Sequence, residues 1–277
     1  MELIRLSLWG KPFIDCLTLE SNFRVNQLMQ DDACFSYVQS GIQKIFSPSG
    51  KIVAKEGESI LMKCSNFIAD NSRTTSNSVF GSVVFHLNHD IVKKAFEGKD
   101  ISFLKVDSES TLVKPSLKIN NSQQMDTFMS SLTPYFDNPE FAKEEILVLK
   151  LQELVYLLCD SGKNSIATQI IGNLQSQNQI TFDDIISSNL YSALSITELS
   201  HLTARSASSF KRDFKKWYRE SPGKYFKTKR LEKAADLLKN TELRVNEIAW
   251  DCGFENAAHF GASFIAAYGR TPKEYRA

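Results

Sequence analysis

The chain has 277 residues, of which 42% are hydrophobic and 23% are charged, and its formal net charge is +1. This length allows two domains with separate buried cores, and the composition is typical of a soluble globular protein. No run approaches the roughly twenty apolar residues of a membrane span, and the first five residues lack the apolar stretch of a signal peptide. We therefore expect a cytoplasmic protein.

The cysteines are five in number, widely scattered and without a Cys-x-x-Cys pair: Cys16, Cys34, Cys64, Cys159 and Cys252. This distribution argues against both a disulfide framework and a zinc site. We predict reduced and mostly buried thiols.

The charge is unevenly distributed along the chain. From residue 190 to the end, sixteen Lys and Arg stand against ten Asp and Glu, a net charge of +6, so the preceding residues sum to −5. Residues 205–233 alone contain eleven basic and three acidic side chains. This asymmetry indicates a polyanion as the partner of the C-terminal part, although basic helix faces are often simply solvated.

The first part of the chain, residues 1–120, has short β-like runs separated by Gly, Pro, Ser and Asn. Runs such as residues 79–85 are typical of strands. We predict a small β-barrel or β-sandwich here.

Residues 121–162 change to helical periodicity. Apolar side chains such as Leu149, Leu154 and Leu158 predict helices that dimerise or pack on the β domain, and their spacing does not separate the two. Gly162 and its polar neighbours make a short linker, and an all-helical domain follows over residues 165–277. The predicted fold class is therefore α+β in two domains.

The C-terminal part contains an internal repeat with a period of about fifty residues. Residues 196–200 match residues 245–249 at an offset of 49. Four later pairs match at an offset of 50: Phe210 with Phe260, Phe214 with Phe264, Pro222 with Pro272 and Tyr225 with Tyr275. Each copy has the pattern helix, tight turn, helix, which predicts two helix-turn-helix motifs, HTH1 over residues 195–217 and HTH2 over residues 244–268.

Local signals fix the ends and the inner faces of these helices. Ser195 opens an S-x-x-E capping box, and Ser206 and Asn256 are N-caps of the second helices. Gly253 suits a left-handed turn in HTH2, whereas the HTH1 turn at residues 203–205 has no glycine. The side chains predicted to face inward are aromatic: Phe210, Phe214 and Trp217 in HTH1, and Phe260, Phe264 and Tyr268 in HTH2.

A linker helix is predicted over residues 222–239, because Pro222 suits a first helical turn. At about 1.5 Å per residue it would span roughly 27 Å, close to the roughly 34 Å between successive major-groove faces of B-DNA. One chain could then read two adjacent grooves.

Over about residues 180–276 the sequence resembles the AraC/XylS family of transcription regulators. The matching stretches are residues 206–216, 221–225, 230–234, 247–249, 252–254 and 271–276. The resemblance implies sequence-specific binding to double-stranded DNA and contact with RNA polymerase. The N-terminal part is similar to the cupin-like β-barrel sensor domain of that family, loosely, through residues 57–62 and 83–85. Such a domain senses a small molecule or a protein partner, and no residue pattern here identifies which.

The second helix of each motif would face the bases. In HTH1 the outward side chains are Ser208, Ser209, Lys211, Arg212 and Lys215, and Arg212 can donate to both O6 and N7 of guanine. In HTH2 they are Asn256, Ala258, His259 and Ala262, which favour shape, backbone or thymine-methyl contacts. The predicted phosphate contacts are all basic: Arg205, Lys216, Lys224, Lys227, Lys229 and Arg230. HTH1 is thus expected to supply most of the specificity and HTH2 mainly to anchor; alternatively, these side chains are only solvated surface.

Two other functions compete with this one. The same fold could serve as an interaction protein that does not bind DNA, or His86 and His89 could form the metal pair of a cupin-type metalloenzyme. No further His or carboxylate stands at ligand spacing, and no phosphate loop, dinucleotide fingerprint or nucleophile motif occurs. We therefore predict a transcription regulator, an activator and a possible homodimer, with no enzymatic activity, cofactor, metal or membrane partner.

Overall fold

The computed structural model describes residues 1–28, 32–63, 66–76, 78–104, 116–120, 122–159, 165–174 and 181–276. The chain divides into two compact units. The N-terminal unit comprises Met1–Ile45 with Ile52–Gln179, and the C-terminal unit comprises Phe46–Lys51 with Ile180–Ala277. The predicted linker around Gly162 and the thiol of Cys64 lie outside the described residues.

The N-terminal part is built on two sheets. Its described strands are β1 Glu2–Leu8, β2 Lys11–Leu19, β3 Phe23–Leu28, β4 Asp32–Ser40, β5 Ile42–Ser47, β6 Gly50–Lys55, β7 Glu58–Lys63, β8 Asn66–Ser72, β9 Phe80–Asn88 and β10 Ser116–Asn120. One sheet has the order β1-β2-β9-β4-β7-β10 and the other β3-β8-β5-β6. The predicted cupin-like barrel is therefore approximate, because the described strands form two separate sheets rather than one closed barrel.

The six-stranded sheet packs through both faces, because alternate residues of each strand point to opposite sides. On one face Phe85 packs its ring against Phe13 at a centroid distance of 5.7 Å and against Phe128, a helical residue, at 5.8 Å. On the other face β9 places Ser82 and His86 opposite the four-stranded sheet. The sheet thus lies between a helical layer and a second sheet.

The helical layer consists of α1 His89–Ala95, α2 Gln123–Ser130, α3 Thr133–Asp137, α4 Glu144–Cys159 and α5 Ile166–Gly172, with 3-10 turns at Ser102–Leu104 and Pro139–Phe141. The long helix α4 buries Leu151 and Leu154 in the core and exposes Leu149. Helix α5 buries Ile170 in the same core. The C-terminal domain is expected from the sequence to begin near residue 165, whereas the packing of α5 places this helix in the N-terminal unit.

The C-terminal unit is all-helical apart from residues 46–51. Its helices are α6 Phe182–Ser188, α7 Ile196–Leu202, α8 Ala207–Tyr218, α9 Pro222–Asn240, α10 Val245–Asp251, α11 Ala257–Tyr268 and α12 Pro272–Arg276. Helices α7 and α8 form HTH1, α10 and α11 form HTH2, and α9 links them, which confirms the predicted architecture. No helix in the described ranges has both the length and the apolar character needed to cross a bilayer.

The sequence repeat reappears as a repeated aromatic stack on the inner side of α8 and α11. Equivalent ring centroids lie at similar distances in HTH1 and HTH2: Phe210–Phe214 at 5.7 Å and Phe260–Phe264 at 5.6 Å, Phe214–Tyr218 at 4.4 Å and Phe264–Tyr268 at 4.6 Å, Phe214–Tyr225 at 5.4 Å and Phe264–Tyr275 at 5.2 Å. Each motif is therefore held by the same scaffold.

One predicted inner residue of HTH1 is wrong. Trp217 is 67% exposed, and Tyr218 takes its place in the stack. The Tyr218 hydroxyl donates a hydrogen bond to the carboxylate of Asp183 in α6, which fixes the ring against Phe214. The repeat itself, which pairs Tyr218 with Tyr268, identifies the inner residue better than helical periodicity does.

The duplication extends to backbone conformation. Ala204 and Gly253, which occupy equivalent positions in the two HTH turns, have φ of 53° and 80°. Arg219 and Gly269, at the C-caps of α8 and α11, have φ of 58° and 70°. These left-handed conformations favour glycine. HTH1 nevertheless adopts them at Ala204 and Arg219, where the Cβ atom makes them unfavourable.

Candidate nucleic-acid interface

Helix α8 is fixed at its start and along its inner side. The Ser206 Oγ accepts a hydrogen bond from the N–H of Ser209 at 3.2 Å, which caps the helix. Phe210 and Phe214 are fully buried, and Phe182 of α6 packs on Phe210 at a centroid distance of 5.6 Å. The opposite side of α8 therefore faces solvent.

That outward side carries the base-contacting residues predicted for HTH1. Ser208, Lys211, Arg212 and Lys215 are exposed, and Ser209 is half-buried. The Arg212 side chain is 76% exposed, and its Nε lies 3.6 Å from the Asp213 carboxylate. Arg212 thus has open space around it for a planar bidentate contact.

Asp213 also forms an ion pair with Arg205, which has a different role from Arg212. The Arg205 Nε donates to Asp213 Oδ2 at 3.0 Å, and a terminal guanidinium nitrogen donates to the Thr203 carbonyl at 2.8 Å. Its guanidinium also lies 4.7 Å from the centroid of the Phe182 ring. Arg205, predicted to contact phosphate, is thus engaged in bracing the HTH1 turn.

The lysines predicted to contact phosphate lie on the surface of α8 and α9. Lys216 and Lys227 are exposed. Lys224 pairs with Glu220 at 2.7 Å and Lys229 with Glu232 at 2.8 Å, and the hydrogen bond to the carboxylate raises the pKa of each of these two lysines. Solvent-exposed pairs of this kind are weak, so a phosphate can compete for both lysines.

Arg230 is, after Arg205, a second predicted phosphate contact that the structure places differently. Its guanidinium donates to three backbone carbonyls, those of Leu190 at 3.3 Å, Ser192 at 2.6 Å and Gly253 at 3.1 Å. Burial lowers the pKa of this guanidinium. Arg230 thus connects α9 to the segment before HTH1 and to the HTH2 turn. Its position four residues after the buried Phe226 places it on the inner face of α9, which is a sequence signal for this role.

The outward side of α11 differs from that of α8. Asn256 caps the helix, accepting a hydrogen bond from the His259 N–H at 2.7 Å. Ala258, His259 and Ala262 are exposed, and the His259 ring lies 5.9 Å from the ring of Phe254. The predicted HTH2 residues therefore share one surface that presents small side chains and one imidazole.

The N-terminal histidines of the rejected metal pair make separate contacts. His86 Nε2 lies 3.1 Å from Asp15 Oδ2, and His86 Nδ1 lies 3.9 Å from Cys34 Sγ, whereas His89 begins α1. Within the residues that the structure describes, no group of three or more His, Cys, Asp and Glu side chains could hold a metal ion.

Two family models match the chain. The model described as a helix-turn-helix domain matches residues 199–277, and the model described as the ExsA N-terminal regulatory domain matches residues 33–169. The first match begins inside α7 and covers the rest of HTH1, α9 and HTH2. The second begins in β4 and continues through the later strands and the helical layer into α5.

Three similar proteins illustrate these matches. The uncharacterised HTH-type transcriptional regulator YdiP of Escherichia coli K12 is 35% identical over 91 residues, 33% of this chain and 30% of YdiP. The virulence regulon transcriptional activator VirF of Yersinia enterocolitica serotype O:8 is 21% identical over 168 residues, 61% of this chain and 62% of VirF. The solved structure of fatty-acid-bound ToxT from Vibrio cholerae is 13% identical, covers 95% of this chain and 94% of ToxT, and has a TM-score of 0.40.

The chain thus spans less than two thirds of the length of the curated relatives it matches, 30% of YdiP and 62% of VirF. The two family models nevertheless fall on the two parts of the fold, one on the part that contains the sheets and one on the duplicated helical part. The chain belongs to the AraC/XylS family of transcription regulators.

Proposed function

We propose that this protein regulates transcription by binding a specific DNA site, with α8 and α11 in neighbouring major grooves on one face of the duplex. The observation that carries the proposal is the duplicated aromatic stack, which turns the opposite sides of both helices to solvent. Helix α9, with 19 residues, spans roughly 28 Å at about 1.5 Å per residue. That length suits successive grooves of B-DNA.

The two motifs contribute differently to DNA recognition. Arg212 reads guanine, and Ser208, Ser209, Lys211 and Lys215 make less selective contacts around it. In HTH2, Asn256, Ala258, His259 and Ala262 fit the groove by shape and apolar contact, so HTH2 mainly anchors. Lys216, Lys224, Lys227 and Lys229 bind phosphates, while Arg205 and Arg230 position the motifs.

The first test compares Arg212→Ala with His259→Ala in binding to an operator selected from random DNA. We expect Arg212→Ala to weaken specific binding by about 1–3 kcal/mol, roughly 5- to 150-fold, because a bidentate base contact is lost. His259→Ala should lose clearly less. Arg24→Ala, which removes the same charge from the N-terminal unit, is the matched control and should bind as the parent does. Equal losses of affinity for Arg212→Ala and His259→Ala would contradict the proposal that HTH1 supplies most of the specificity.

The rival proposal is an interaction protein of the same fold, and the weakly charged surface of α11 favours it. Salt dependence separates the two, because neutralising about four to six phosphates gives a slope of roughly −4 to −5 in a plot of log affinity against log salt. No shift of operator DNA even at low salt would support the rival.

The remaining partners follow from the same proposal. A regulator of this family acts where its DNA is, in the cytoplasm, and we propose that it activates transcription through contact with RNA polymerase. The signal is sensed in the N-terminal unit.

We further propose a homodimer formed through α4, where Leu149 is 58% and Tyr156 is 47% exposed. These two apolar side chains are seven residues apart and so share one helix face.

A further inference from the structure

A cavity of about 160 Å3 lies between the two sheets of the N-terminal unit. Its wall is mostly apolar and comes from both sheets, with Leu17, Ile60 and Met62 on one side and Val25, Ile45 and Phe67 on the other. Interiors are normally close-packed, so an unfilled volume of this size between facing sheets requires an explanation.

Uncharged polar groups are set into this apolar wall. Ser36 Oγ in β4 donates to Gln43 Oε1 in β5 at 2.8 Å, and Gln43 Nε2 donates to Asn71 Oδ1 in β8 at 3.2 Å. The three side chains are buried, so this row of hydrogen bonds crosses from one sheet to the other inside the protein. It presents amide and hydroxyl groups, which carry no net charge, to whatever occupies the cavity.

Ser82 in β9 is a buried polar residue of the wall whose hydroxyl has no partner in the described parts of the chain. In the sheet register it lies between Leu17 of β2 and Val38 of β4, both apolar. A fully buried hydroxyl without a hydrogen bond is unfavourable and rare, and a partner from outside the chain would satisfy it. The Ser82 hydroxyl thus points to a ligand with a hydrogen-bonding group.

The charged residues of the wall argue for a neutral ligand. Arg5 makes two hydrogen bonds of 2.7 Å to the two carboxylate oxygens of Asp15, and His86 contacts the same carboxylate at 3.1 Å. The charges are therefore engaged with each other. A charged ligand would have to break this network or remain without a counter-ion in an apolar cavity.

We propose that this cavity binds a compact neutral molecule, about the size of one aromatic ring, with an apolar body and a single hydrogen-bonding group that reaches Ser82. Apolar cavities of about 150 Å3 bind benzene, so the volume fits one ring, and the mostly apolar wall disfavours a sugar. This inference deepens the proposed function, on which it rests, because the ligand is the signal that the regulator senses.

The test is calorimetric titration of the full chain, in the absence of DNA, with phenol, benzene and benzoate as probes. Phenol should bind with a one-to-one stoichiometry and raise the melting temperature as its concentration rises. Benzene should bind about fivefold more weakly, because it fills the cavity without the hydrogen bond. Benzoate should bind most weakly. Tighter binding of benzoate than of phenol, or no binding of any probe, would overturn the proposal.

Two variants separate a ligand site from a packing defect. Ser82→Ala keeps the cavity and removes the hydroxyl, so phenol affinity should fall to that of benzene while benzene affinity is unchanged. Ala69→Leu fills the cavity from β8 and should abolish phenol binding without lowering the melting temperature. Ser130→Ala, an exposed serine of α2, is the matched control. If Ser82→Ala changes the melting temperature but leaves the ratio of phenol to benzene affinity unchanged, the hydroxyl has no role in binding and the proposal fails.

The two proposals fail separately. Arg212→Ala should weaken operator binding and keep phenol binding, because Arg212 lies outside the N-terminal unit. A chain that binds phenol but not DNA would contradict only the proposed function, and a chain that binds DNA but no probe would contradict only the ligand site.

Discussion

At the scale of single residues, the pair of His86 and Asp15 holds two ionised groups in a mostly buried place. Burial raises the pKa of Asp15, but hydrogen bonds from Arg5 and His86 outweigh it and bring the pKa down to about 2. Burial likewise opposes the charge of His86, but the hydrogen bonds to Asp15 and Cys34 prevail and raise its pKa to about 10. Both shifts make the stability of the N-terminal unit depend on pH.

We expect the N-terminal unit to lose stability at both alkaline and acidic pH. The His86 contribution is complete below its ordinary pKa of 6.5 and is lost as the pH rises through about 10, whereas the Asp15 contribution is complete above 3.8 and is lost as the pH falls through about 2. Urea unfolding at a series of pH values, followed through the fluorescence of Trp9 in a chain without Trp217 and Trp250, measures both.

Two variants complete this measurement. His86→Gln should remove most of the alkaline loss, because the titrating group is gone. His89→Gln is the matched control and should keep that loss. An alkaline profile that is the same for His86→Gln and for the parent would contradict the assignment.

At the scale of elements, the two HTH turns offer a direct comparison, because Ala204 and Gly253 share a left-handed conformation. Gly253→Ala should lower the free energy of unfolding by more than about 1 kcal/mol, since L-residues resist this conformation. The added Cβ would also lie 2.6 Å from the Tyr191 carbonyl oxygen. Ala204→Gly should raise the free energy of unfolding by up to about 1 kcal/mol, because it relieves the same strain.

Urea unfolding followed by the fluorescence of Trp217 and Trp250 checks this pair of variants, since both tryptophans lie in the C-terminal unit. A similar destabilisation by both substitutions would show that the two turns do not share one backbone requirement.

Helix ends and the duplicated motif were predictable from sequence because their signals are local. Ser195 and Glu198 form the predicted capping box, with the Ser195 N–H donating to the Glu198 carboxylate at 2.8 Å and the Glu198 N–H donating to the Ser195 Oγ at 3.2 Å. The repeat strengthened the prediction, because the same pattern of helices occurs in both copies.

Features that depend on distant partners left weaker signals in the sequence. The exchange of Trp217 for Tyr218 depends on Asp183 in α6, and the inward Arg230 depends on carbonyls of residues far along the chain. The cavity and its row of polar side chains depend on how strands of two sheets face each other. Helical periodicity fixes a helix face only to within one residue, so such partners decide the outcome.

At the scale of the whole molecule, the proposed dimer gives a prediction for assembly. Leu149→Lys combined with Tyr156→Lys places two charges on the exposed face of α4 and should weaken association at least tenfold, because central apolar contacts dominate such interfaces. Sedimentation velocity should then show a dimer for the parent and a monomer for the double variant.

The control for the dimer is Leu243→Lys, which charges a comparably placed apolar residue of the C-terminal unit. It should remain dimeric. Sedimentation coefficients that are identical for the parent and the α4 double variant would exclude this face as the contact.

The repeated ring stack has a consequence for the kind of operator the protein can use. Because packing is confined to the inner sides of α8 and α11, their outer sides have been able to diverge, one rich in cations and the other in alanine, without disturbing either scaffold. If DNA is bound as proposed, the two motifs of a single polypeptide should therefore prefer different base sequences. Its recognition site is expected to be directional rather than palindromic, so that inverting the operator also inverts the orientation of the bound protein with respect to the promoter.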